Sequence, residues 1–456
     1  MTYVLGIDSS TQSCKAVLVD AASGEIVDQA RASHPGGTQV EPAEWIAALD
    51  KATDGLLKKA DAVAVAGQQH GMVALDKDNH TVRDAMLWND VSSADAAAAL
   101  VDELGGPKKT VDLTGSVLVA SFTGTKLRWL RDNEPDNAQR VSKVVLPHDY
   151  LTWHLGQRQE FTTDHGDASG TGYYSTRERR FLPELAEQFL GHSVKLPRIA
   201  EPNEIVGRTS SGAAIAAGTG DNMAAALGLE LQPGDVCVSV GTSGVASAWS
   251  KESVHDENGL VTGFADATGA YLPLACTLNG AKVLDFAANL LGVDHQGLSE
   301  MALAGNSSVT LLPYFDGERT PNRPHASGLL TGLRTDTTRE DFARGVVEGL
   351  LCSMLDAIEA VEKAMGHKAK RVLLTGGAAR SQAMQQLAPS IFGVDVILSA
   401  PGEYVALGAA RQAAWALSGE DAPPQWDLAG TTTHSGEANL ETVARYQKLR
   451  DLTASF

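Results

Sequence analysis

Short apolar runs separated by polar turns recur in both halves of the chain and predict β-strands. In the first half, three strands are predicted where apolar, β-prone residues recur, at 3–8, 15–19 and 25–31. Hydroxyl and amide side chains at 9–13 separate the first two strands, and a turn at 20–24 follows. In the second half, strands are predicted at 235–240 and 245–249, joined by the turn Gly241–Gly244. Each half therefore offers a hairpin with a polar tip.

A helix followed by a short strand that runs into glycine is predicted once in each half. Pro42 suits a first helical turn, and apolar positions follow near helical spacing at Trp45, Leu49 and Leu56. The run 62–66 is the strand after this helix, and it ends at Gly67. The second helix has a longer apolar stripe, which consists of Phe342, Val346, Leu350, Met354, Ile358, Val361 and Met365 and ends at Gly366. Its strand, 371–374, leads to Gly376 and Gly377.

The repeated pattern predicts two similar α/β domains that face each other across a cleft. The copies lie too far apart in sequence for a solenoid repeat. A boundary is predicted at 229–234, where ELQPGD interrupts two apolar runs, which divides the chain into 1–230 and 231–456. Residues 420–440 are expected to connect to a last helix that contains Leu440, Val443, Tyr446 and Leu449. Ligands of such folds bind at strand ends, here in the cleft.

Composition narrows the function classes. The chain has 456 residues, and its formal net charge of −19 argues against nucleic acid and anionic membrane surfaces as partners. The four cysteines form no CxxC pair, so we expect apolar core residues and no zinc site. The N-terminal residues do not resemble a signal peptide, and no apolar stretch could span a membrane, so a cytoplasmic protein is predicted. The oligomeric state is left open, a homodimer included.

Three turns that follow strands are candidates for binding nucleotide phosphates. Small residues allow close approach of the backbone, whose amides and hydroxyls can donate to phosphate oxygens. The candidates are Thr11 in the turn after Asp8, then Gly241, Thr242 and Ser243, and finally Gly376, Gly377 and Ala378. Each turn alone is more typical of an ordinary hairpin, but their matching places in a repeated pattern favour a nucleotide site. The sequence has no P-loop, no GxGxxG motif and no protein-kinase motif set.

Two aspartates are candidates for the chemistry. Asp8 ends the first strand beside a polar turn, where a carboxylate could hold hydrated Mg²⁺ or could simply start the turn. Asp221 lies in the segment GTGDN, directly before a helix-prone run. It could serve as a helix N-cap, or as a general base that orients an alcohol for attack on a phosphoryl group. The helix dipole is expected to favour its ionised form.

Polar and aromatic residues after the strand 62–66 are candidates for sugar recognition. Gln69 and His70 lie in the segment GQQHG, and amide and imidazole groups suit sugar hydroxyls. Trp88 lies in a WND segment and adds an aromatic face. A structural role is the alternative for His70.

These segments resemble those of the FGGY family of carbohydrate kinases over nearly the whole chain. The segments that carry the resemblance are GIDSSTQSCKAVLVD at the start, SFTGTKLRWLRDN from Ser121, LPYFDGERTP from Leu312, GLLTGLRTDTTREDFARGVVEG from Gly328 and TGGAARS from Thr375. Two positions depart from the family pattern, since Ser10 replaces a glycine and Gly345 replaces a small Ala or Ser. Within the family, the xylulokinase branch is most similar, with GQMHG, WND, GGGDN and SLGTSG where this chain has GQQHG, WND, GTGDN and SVGTSG.

The resemblance implies a fold and a reaction. It implies two actin-like, ribonuclease-H-like ATPase domains and transfer of a phosphoryl group from ATP, with Mg²⁺, to a ketopentose, most simply D-xylulose to D-xylulose 5-phosphate. Asp221 would be the catalytic base and Asp8 the carboxylate near the metal and ATP. The sugar would contact Gln69, His70, Trp88 and Asn222. Gln69 stands where the family has methionine, so substrate identity is less secure than reaction type.

Two alternatives stay open at this point. One is another kinase of the same family, such as a ribulokinase or a gluconokinase, which a substrate panel would separate. The other is an actin-like or chaperone-like ATPase that phosphorylates no small molecule. The GQQHG and WND segments argue against the second alternative, because such a protein needs no sugar pocket.

Overall fold

The computed structural model describes residues 1–400, 402–426 and 430–454. The first half contains the strands β1 Tyr3–Ser9, β2 Ser13–Asp20, β3 Ile26–Ser33, β4 Gln39–Val40, β5 Ala62–Gly67, β6 Val73–Leu75, β7 Ala85–Met86, β8 Lys143–Val145, β9 Thr162–Thr163, β10 Tyr174–Ser175, β11 Arg180–Phe181, β12 Arg198–Ile199, β13 Ile205–Arg208, β14 Ala214–Ala216 and β15 Thr219–Gly220. Its helices are α1 Pro42–Thr53, α2 Ala94–Glu103, α3 Pro107–Thr114, α4 Thr123–Asn133, α5 Pro135–Arg140, α6 Pro147–Leu155, α7 His165–Ala168, α8 Pro183–Leu190 and α9 Asp221–Gly228.

The second half contributes fewer and longer elements. Its strands are β16 Asp235–Val240, β17 Gly244–Ala248, β18 Val261–Ala265, β19 Tyr271–Thr277, β20 Thr310–Leu312, β21 Leu329–Thr331, β22 Arg371–Thr375, β23 Asp395–Leu398 and β24 Thr432–His434. Its helices are α10 Lys282–Leu291, α11 His295–Ala304, α12 Arg339–Met365, α13 Gln382–Phe392, α14 Tyr404–Ser418 and α15 Leu440–Leu452. The predicted strands and the long predicted helix are thus confirmed, within one or two residues at most ends.

Two mixed sheets form the centres of the two halves, and they share one plan. In the first sheet, β1 pairs antiparallel with β2 and parallel with β5, in the order β13-β14-β5-β1-β2-β3, and β15 also pairs with β5. In the second, β16 pairs antiparallel with β17 and parallel with β22, in the order β18-β19-β17-β16-β22-β23-β24. The matching hairpin and parallel neighbour confirm the repeat that the sequence predicted.

Local sequence explains where the long helix α12 begins and ends. The side chain of Thr338 accepts from the backbone N–H of Asp341, and the Asp341 carboxylate accepts from the N–H of Thr338, which forms a capping box. Gly366 follows the last turn with φ 76°, a left-handed conformation that glycine adopts without strain. The helix buries the apolar stripe against the second sheet.

Helix α14 lies in the second half of the sequence but packs on the first sheet. It contacts β1, β5 and α9, and its alanines share one apolar cluster with the strands of the first half. A Cβ at Gly6 would collide with the backbone oxygen of Ala406, and one at Gly408 would collide with that of Ala224. The division at 230/231 remains a prediction. Helix α14 follows this boundary in the sequence but packs against strands that precede it.

The last predicted helix is confirmed as α15, which docks through buried hydroxyl groups. The Tyr446 hydroxyl lies 3.3 Å from that of Tyr314 and donates to Asp356 at 3.1 Å. The predicted connector at 420–440 includes residues 427–429, which lie outside the described residues. All four cysteines are free thiols. Within the described ranges, no helix is both long and apolar enough to cross a membrane.

Candidate active site

Two neighbouring cavities open between the two halves of the chain. The first cavity has a volume of about 270 Å³ and is lined by Thr11, Gln69, His70, Trp88, Ser121, Phe122, Asp221, Asn222, Ser243, Val245, Thr262, Phe264, Leu274, Cys276 and Arg319. The second cavity, of about 300 Å³, is lined by residues that include Asp8, Lys15, Ser239, Thr375, Gly376, Gly402, Glu403 and Tyr404. Asp221 and Asn222 line both cavities. The cleft therefore has two compartments with one aspartate at their junction.

The end of the central strand β5 positions Asp221. The two-residue strand β15 pairs with β5 and places Gly220 opposite Gly67, and α9 begins at the next residue. The N-cap position belongs to Gly220, so the N-cap interpretation of Asp221 is wrong. Instead, Asp221 Oδ1 accepts from the backbone N–H of Asn222 at 2.9 Å. The carboxylate is thus fixed at the first turn while it still faces the cleft.

The expectation that the helix dipole keeps Asp221 ionised does not hold in the ligand-free cleft. Burial, together with the nearby carboxylates of Asp8 and Asp167, raises the pKa of Asp221 to about 8. Desolvation and like charge outweigh the dipole here because the dipole acts weakly compared with two neighbouring carboxylates. A carboxyl group with this pKa is poised to exchange a proton near neutral pH.

Asp8 lies at the end of β1 and lines the second cavity. Its Oδ1 accepts from the hydroxyl of Ser10, and its Oδ2 lies 3.4 Å from Nζ of Lys15, which also donates to Glu403 at 2.7 Å. Burial raises the pKa of Asp8, against the hydrogen bond from Ser10 and the charge of Lys15. With Asp221 in the same cavity, the oxygen donors match those that Mg²⁺ prefers, so the residues fit this ion.

His70 is held as a neutral ring in the first cavity. Its backbone is left-handed, with φ 67°, and its ring packs against Phe122 and Phe264 at centroid distances of 5.0 and 5.5 Å. Burial, together with the charge of Lys126, lowers the pKa of His70 to about 3. Nδ1 lies 2.9 Å from the carbonyl oxygen of Gly170 and must donate to it. Nε2 is then the ring nitrogen that can accept from a ligand hydroxyl.

Gln69 connects the GQQHG segment with the helix that carries Asp221. Its Oε1 accepts from Nδ2 of Asn222 at 2.8 Å. Its Nε2 is buried and has no hydrogen-bond partner within the described residues. A side chain at position 220 would collide with Gln69, so Gly220 permits this approach. Gln69 thus offers an unused donor at the wall of the first cavity.

Trp88 and Thr11 meet in the first cavity. Trp88 is 44% exposed, and its Nε1 donates to Oγ1 of Thr11 at 2.9 Å. Thr11 was predicted as a nucleotide contact, but the structure places it beside the sugar candidates. Its assignment to the nucleotide therefore gains no support from its position.

The remaining nucleotide candidates are divided among several surfaces. Ser243 lines the first cavity and Gly376 the second. Gly377 and Ala378 line a third cavity of about 620 Å³, together with residues of α10 and α11. Gly241 and Thr242 line none of these three, although Gly241 accepts from the backbone N–H of Ala281 at 2.6 Å. The roles of all these residues stay predictions.

The second half contributes a wall of the first cavity that sequence reasoning missed. Thr262 and Phe264 on β18, Leu274 and Cys276 on β19, and Arg319 form it. The strands β18 and β19 read as ordinary buried strands, so no polar motif pointed to them. Arg319 lies in the segment LPYFDGERTP, which could have drawn attention to it.

Comparison with known proteins finds one family that matches both halves of the chain. The N-terminal domain model of the FGGY family of carbohydrate kinases matches residues 3–229, and the C-terminal domain model matches residues 236–417. Xylulose kinases of Streptomyces coelicolor and Streptomyces rubiginosus are 46% and 43% identical to the chain, over 97% of it and 94% of each relative.

Solved structures show the same architecture. The structure of xylulose kinase from Bifidobacterium adolescentis has a TM-score of 0.92 at 43% identity and covers 98% of this chain and 99% of its own. A glycerol kinase from Plasmodium falciparum, solved with ADP, has a TM-score of 0.87 at 18% identity, covers 100% of this chain and 98% of its own, and shows the shared fold alone. The predicted pair of actin-like α/β domains is confirmed. The chain belongs to the FGGY family of carbohydrate kinases.

Proposed function

We propose that the chain transfers the γ-phosphoryl group of ATP to D-xylulose and forms D-xylulose 5-phosphate. The relatives at 46% and 43% identity are named xylulose kinases, and FGGY kinases use ATP as phosphoryl donor. The observation that carries the proposal is the position of Asp221, which lines both cavities and so can touch a sugar in the first and a phosphoryl group in the second. Family membership decides against an ATPase without a small-molecule acceptor.

The first cavity suits a neutral polyhydroxylated ligand. Nε2 of His70 and the side chain of Asn222 can accept from hydroxyls, and Nε2 of Gln69 can donate. The exposed ring of Trp88 offers an apolar face for the carbon chain. These groups together would fix the primary hydroxyl of the sugar near Asp221.

Proton removal by Asp221 is the central step of the proposed mechanism. The O5 oxygen of the sugar bonds to the γ-phosphorus, the bond from that phosphorus to the bridging oxygen breaks, and ADP leaves with the electron pair. The proton of the O5 hydroxyl passes to the Asp221 carboxylate. The raised pKa of Asp221 makes it a stronger base than an ordinary aspartate once it is ionised.

The second cavity is the proposed site for the phosphates and the metal. Asp8 would hold Mg²⁺, with Asp221 nearby, and Lys15 keeps the Asp8 carboxylate oriented. When bound, Mg²⁺ would neutralise charge on the phosphate oxygens. The turns at Gly241 and Gly376 would bring backbone amides to the phosphates, and the loop Gly376–Ala378 would bind the adenosine end. A cytoplasmic location remains a prediction from the sequence, and the oligomeric state stays open, a homodimer included.

A coupled assay of ADP release across an acceptor panel tests the proposal. The panel contains D-xylulose, L- and D-ribulose, gluconate, glycerol and xylitol, each with MgATP. D-xylulose is expected to give the highest kcat/KM. A clear preference for ribulose or gluconate would replace the proposed substrate with another of this family. ADP release at the same rate without any acceptor would contradict sugar phosphorylation altogether.

A further inference from the structure

Arg319 stands out in the first cavity because its guanidinium has no partner among the residues that the structure describes. It faces the cavity that also holds His70 and Asp221. Within residues 1–400, 402–426 and 430–454, its side chain forms no hydrogen bond and no ion pair. By contrast, Arg371 and Arg450 of the same half are paired with Asp235 and Asp356. An arginine carries five N–H donors in a fixed plane, and leaving all of them unused inside a cleft needs an explanation.

The loop around Arg319 is anchored on both sides. The neighbouring Glu318 is 1% exposed, and its carboxylate accepts from the backbone N–H of Leu278 at 2.6 Å and from Nδ2 of Asn279 at 2.9 Å. Thr320 donates its hydroxyl proton to the carbonyl oxygen of Cys276 at 2.7 Å. Both neighbours are thus tied to the end of β19, so the backbone that carries Arg319 is fixed.

The charges around the cleft show what this cation could bind. Asp8 and Asp221 line the cleft, and the whole chain has a formal net charge of −19. Lys15, which lines the second cavity, is already paired with Asp8 and Glu403. The proposed acceptor is a neutral sugar, so it carries no negative charge that the arginine could bind. The reaction, however, places an anionic phosphoryl group on that sugar.

We infer that Arg319 binds the oxygens of the phosphoryl group as it passes to the acceptor and remains on the product, an inference that rests on the proposed function. The planar fork of donors matches two phosphoryl oxygens at once. Arg319 reaches the cavity from the second half of the chain, whereas Asp221 and His70 belong to the first. The transferred group would then lie between a base on one wall and a cation on the other. Arg319 takes no part in the proton transfer, because its role is only to stabilise negative charge on the phosphoryl oxygens.

Binding measurements without turnover test this inference most directly. D-xylulose and D-xylulose 5-phosphate are titrated separately, in the absence of ATP, into the unmodified protein and the Arg319→Gln variant. We expect the variant to bind the phosphate ester about tenfold more weakly or worse, and the free sugar within about threefold of the unmodified protein. Arg334→Gln is the matched control, because Arg334 is exposed and lines neither cavity, and its loss changes the net charge equally.

Steady-state kinetics provide the second readout. Arg319→Gln should lower kcat by about 10²- to 10³-fold with little change in KM for the sugar, as expected for a group that acts on developing charge. Arg319→Lys should recover part of kcat, because it keeps the charge but loses the fork. Equal weakening of sugar and sugar phosphate, or unchanged affinity for both, would overturn the inference.

The outcome remains distinguishable from failure of the proposed function. If the acceptor panel identifies a different neutral sugar, the same titrations with that sugar and its phosphate ester still decide the role of Arg319. If the panel instead identifies a sugar acid such as gluconate, and Arg319→Gln loses affinity for the unphosphorylated acid, Arg319 reads a substrate carboxylate and the inference is wrong.

Discussion

Nδ1 of His148 lies 2.6 Å from Oδ2 of Asp167, and both side chains are fully buried. Nε2 of the same ring lies 3.4 Å from Oδ1 of Asp149, which is buried as well. Burial opposes the charge on His148, but Asp149 and Asp167 outweigh it and raise the pKa of the imidazole to about 9. The cluster lies directly behind the strand end that positions Asp221, since Gly67 and Gly218 both contact His148. A buried imidazolium between two carboxylates thus supports the floor of the site.

Removal of the buried cation by His148→Gln should cost about 3 kcal/mol of unfolding free energy at pH 7, because the buried Asp167 carboxylate loses its counter-charge. Asp149, whose pKa burial raises to about 7, is only partly ionised there. A histidine whose pKa is raised in the folded state stabilises fully below its unfolded pKa and loses this effect as pH rises through the folded pKa. The difference between the two proteins should therefore shrink from pH 7 to above pH 9, as urea unfolding can measure.

Two comparisons sharpen this experiment. His148→Lys keeps a cation and should be less destabilised at pH 7 than His148→Gln. His154→Gln removes a partly exposed histidine from the same helix, where it pairs with Asp50 at 3.0 Å, and should cost about 0–1 kcal/mol. A loss for His148→Gln that is constant from pH 7 to pH 9.5 would contradict a charged imidazole.

Asp221→Asn should lower kcat by roughly 10²-fold or more, because the amide keeps the shape of the side chain but cannot take the proton. Initial rates with D-xylulose and MgATP measure this effect. Asp102→Asn, an exposed change on α2, serves as the control. Near-normal turnover of a correctly folded Asp221→Asn protein would remove Asp221 from the role of base.

The raised pKa of Asp221 predicts a specific pH profile. The ionised carboxylate is the active form, so kcat/KM for the sugar should rise with pH through about 8 when MgATP is scarce. Saturating MgATP should move this midpoint downward, because a nearby cation favours the ionised carboxylate. Rate measurements from pH 6 to pH 9.5 at two MgATP concentrations test both statements. A profile that is flat from pH 6 upward under both conditions would show that Asp221 is already ionised in the free enzyme.

Gln69→Met should alter selectivity among ketoses by on the order of 1–2 kcal/mol, because it removes the unused Nε2 donor at the wall of the first cavity. The ratio of kcat/KM for xylulose to that for ribulose is the quantity to compare. Gln29→Met, an exposed change on β3, should leave this ratio unchanged. An unaltered ratio in Gln69→Met would show that Gln69 does not contact the sugar.

Closure of the cleft should accompany binding of both substrates, because water must be kept from the γ-phosphoryl group. The first cavity has walls from both halves, so the sugar alone should already bias the cleft towards closure. The chain crosses between the halves at 229–234 and again between β23 and α14. Solution scattering should show a smaller radius of gyration with sugar and a non-hydrolysable ATP analogue. An unchanged radius would contradict hinge motion while leaving the catalytic residues in place.

The sequence predicted those parts of the site that lie in strand-end turns. Asp8 ends the first predicted strand, His70 follows the strand 62–66, and Asp221 was found between glycines directly before a helix-prone run. Gln69 lies in the same turn as His70, and Trp88 was found from the WND segment; the structure brings both residues to the first cavity. Local pattern was enough because each of these residues lies in or next to a short polar or glycine-rich segment between regular elements.

Other features depend on contacts between distant segments and left no local pattern. Phe264 and Thr262 belong to a buried strand whose face toward the cleft cannot be told from its face toward the core. His148 and Asp167 are separated by a loop and a strand, so their pairing could not be foreseen. The raised pKa of Asp221 arises from burial and from the charges of Asp8 and Asp167, and all three depend on the tertiary structure.

The position of α14 has a consequence for how the protein is made. The strands β1, β2 and β5 leave the ribosome early, but the helix that covers one of their apolar faces follows the synthesis of most of the second half. Until then, Val4, Val17 and Ala64 are not buried by this helix, and the nascent chain exposes an apolar surface that is prone to aggregation. The first half therefore cannot complete its fold during synthesis, and final assembly has to wait for nearly the entire polypeptide. A fragment that ends before Tyr404 would keep this surface open and depend on chaperones to stay in solution.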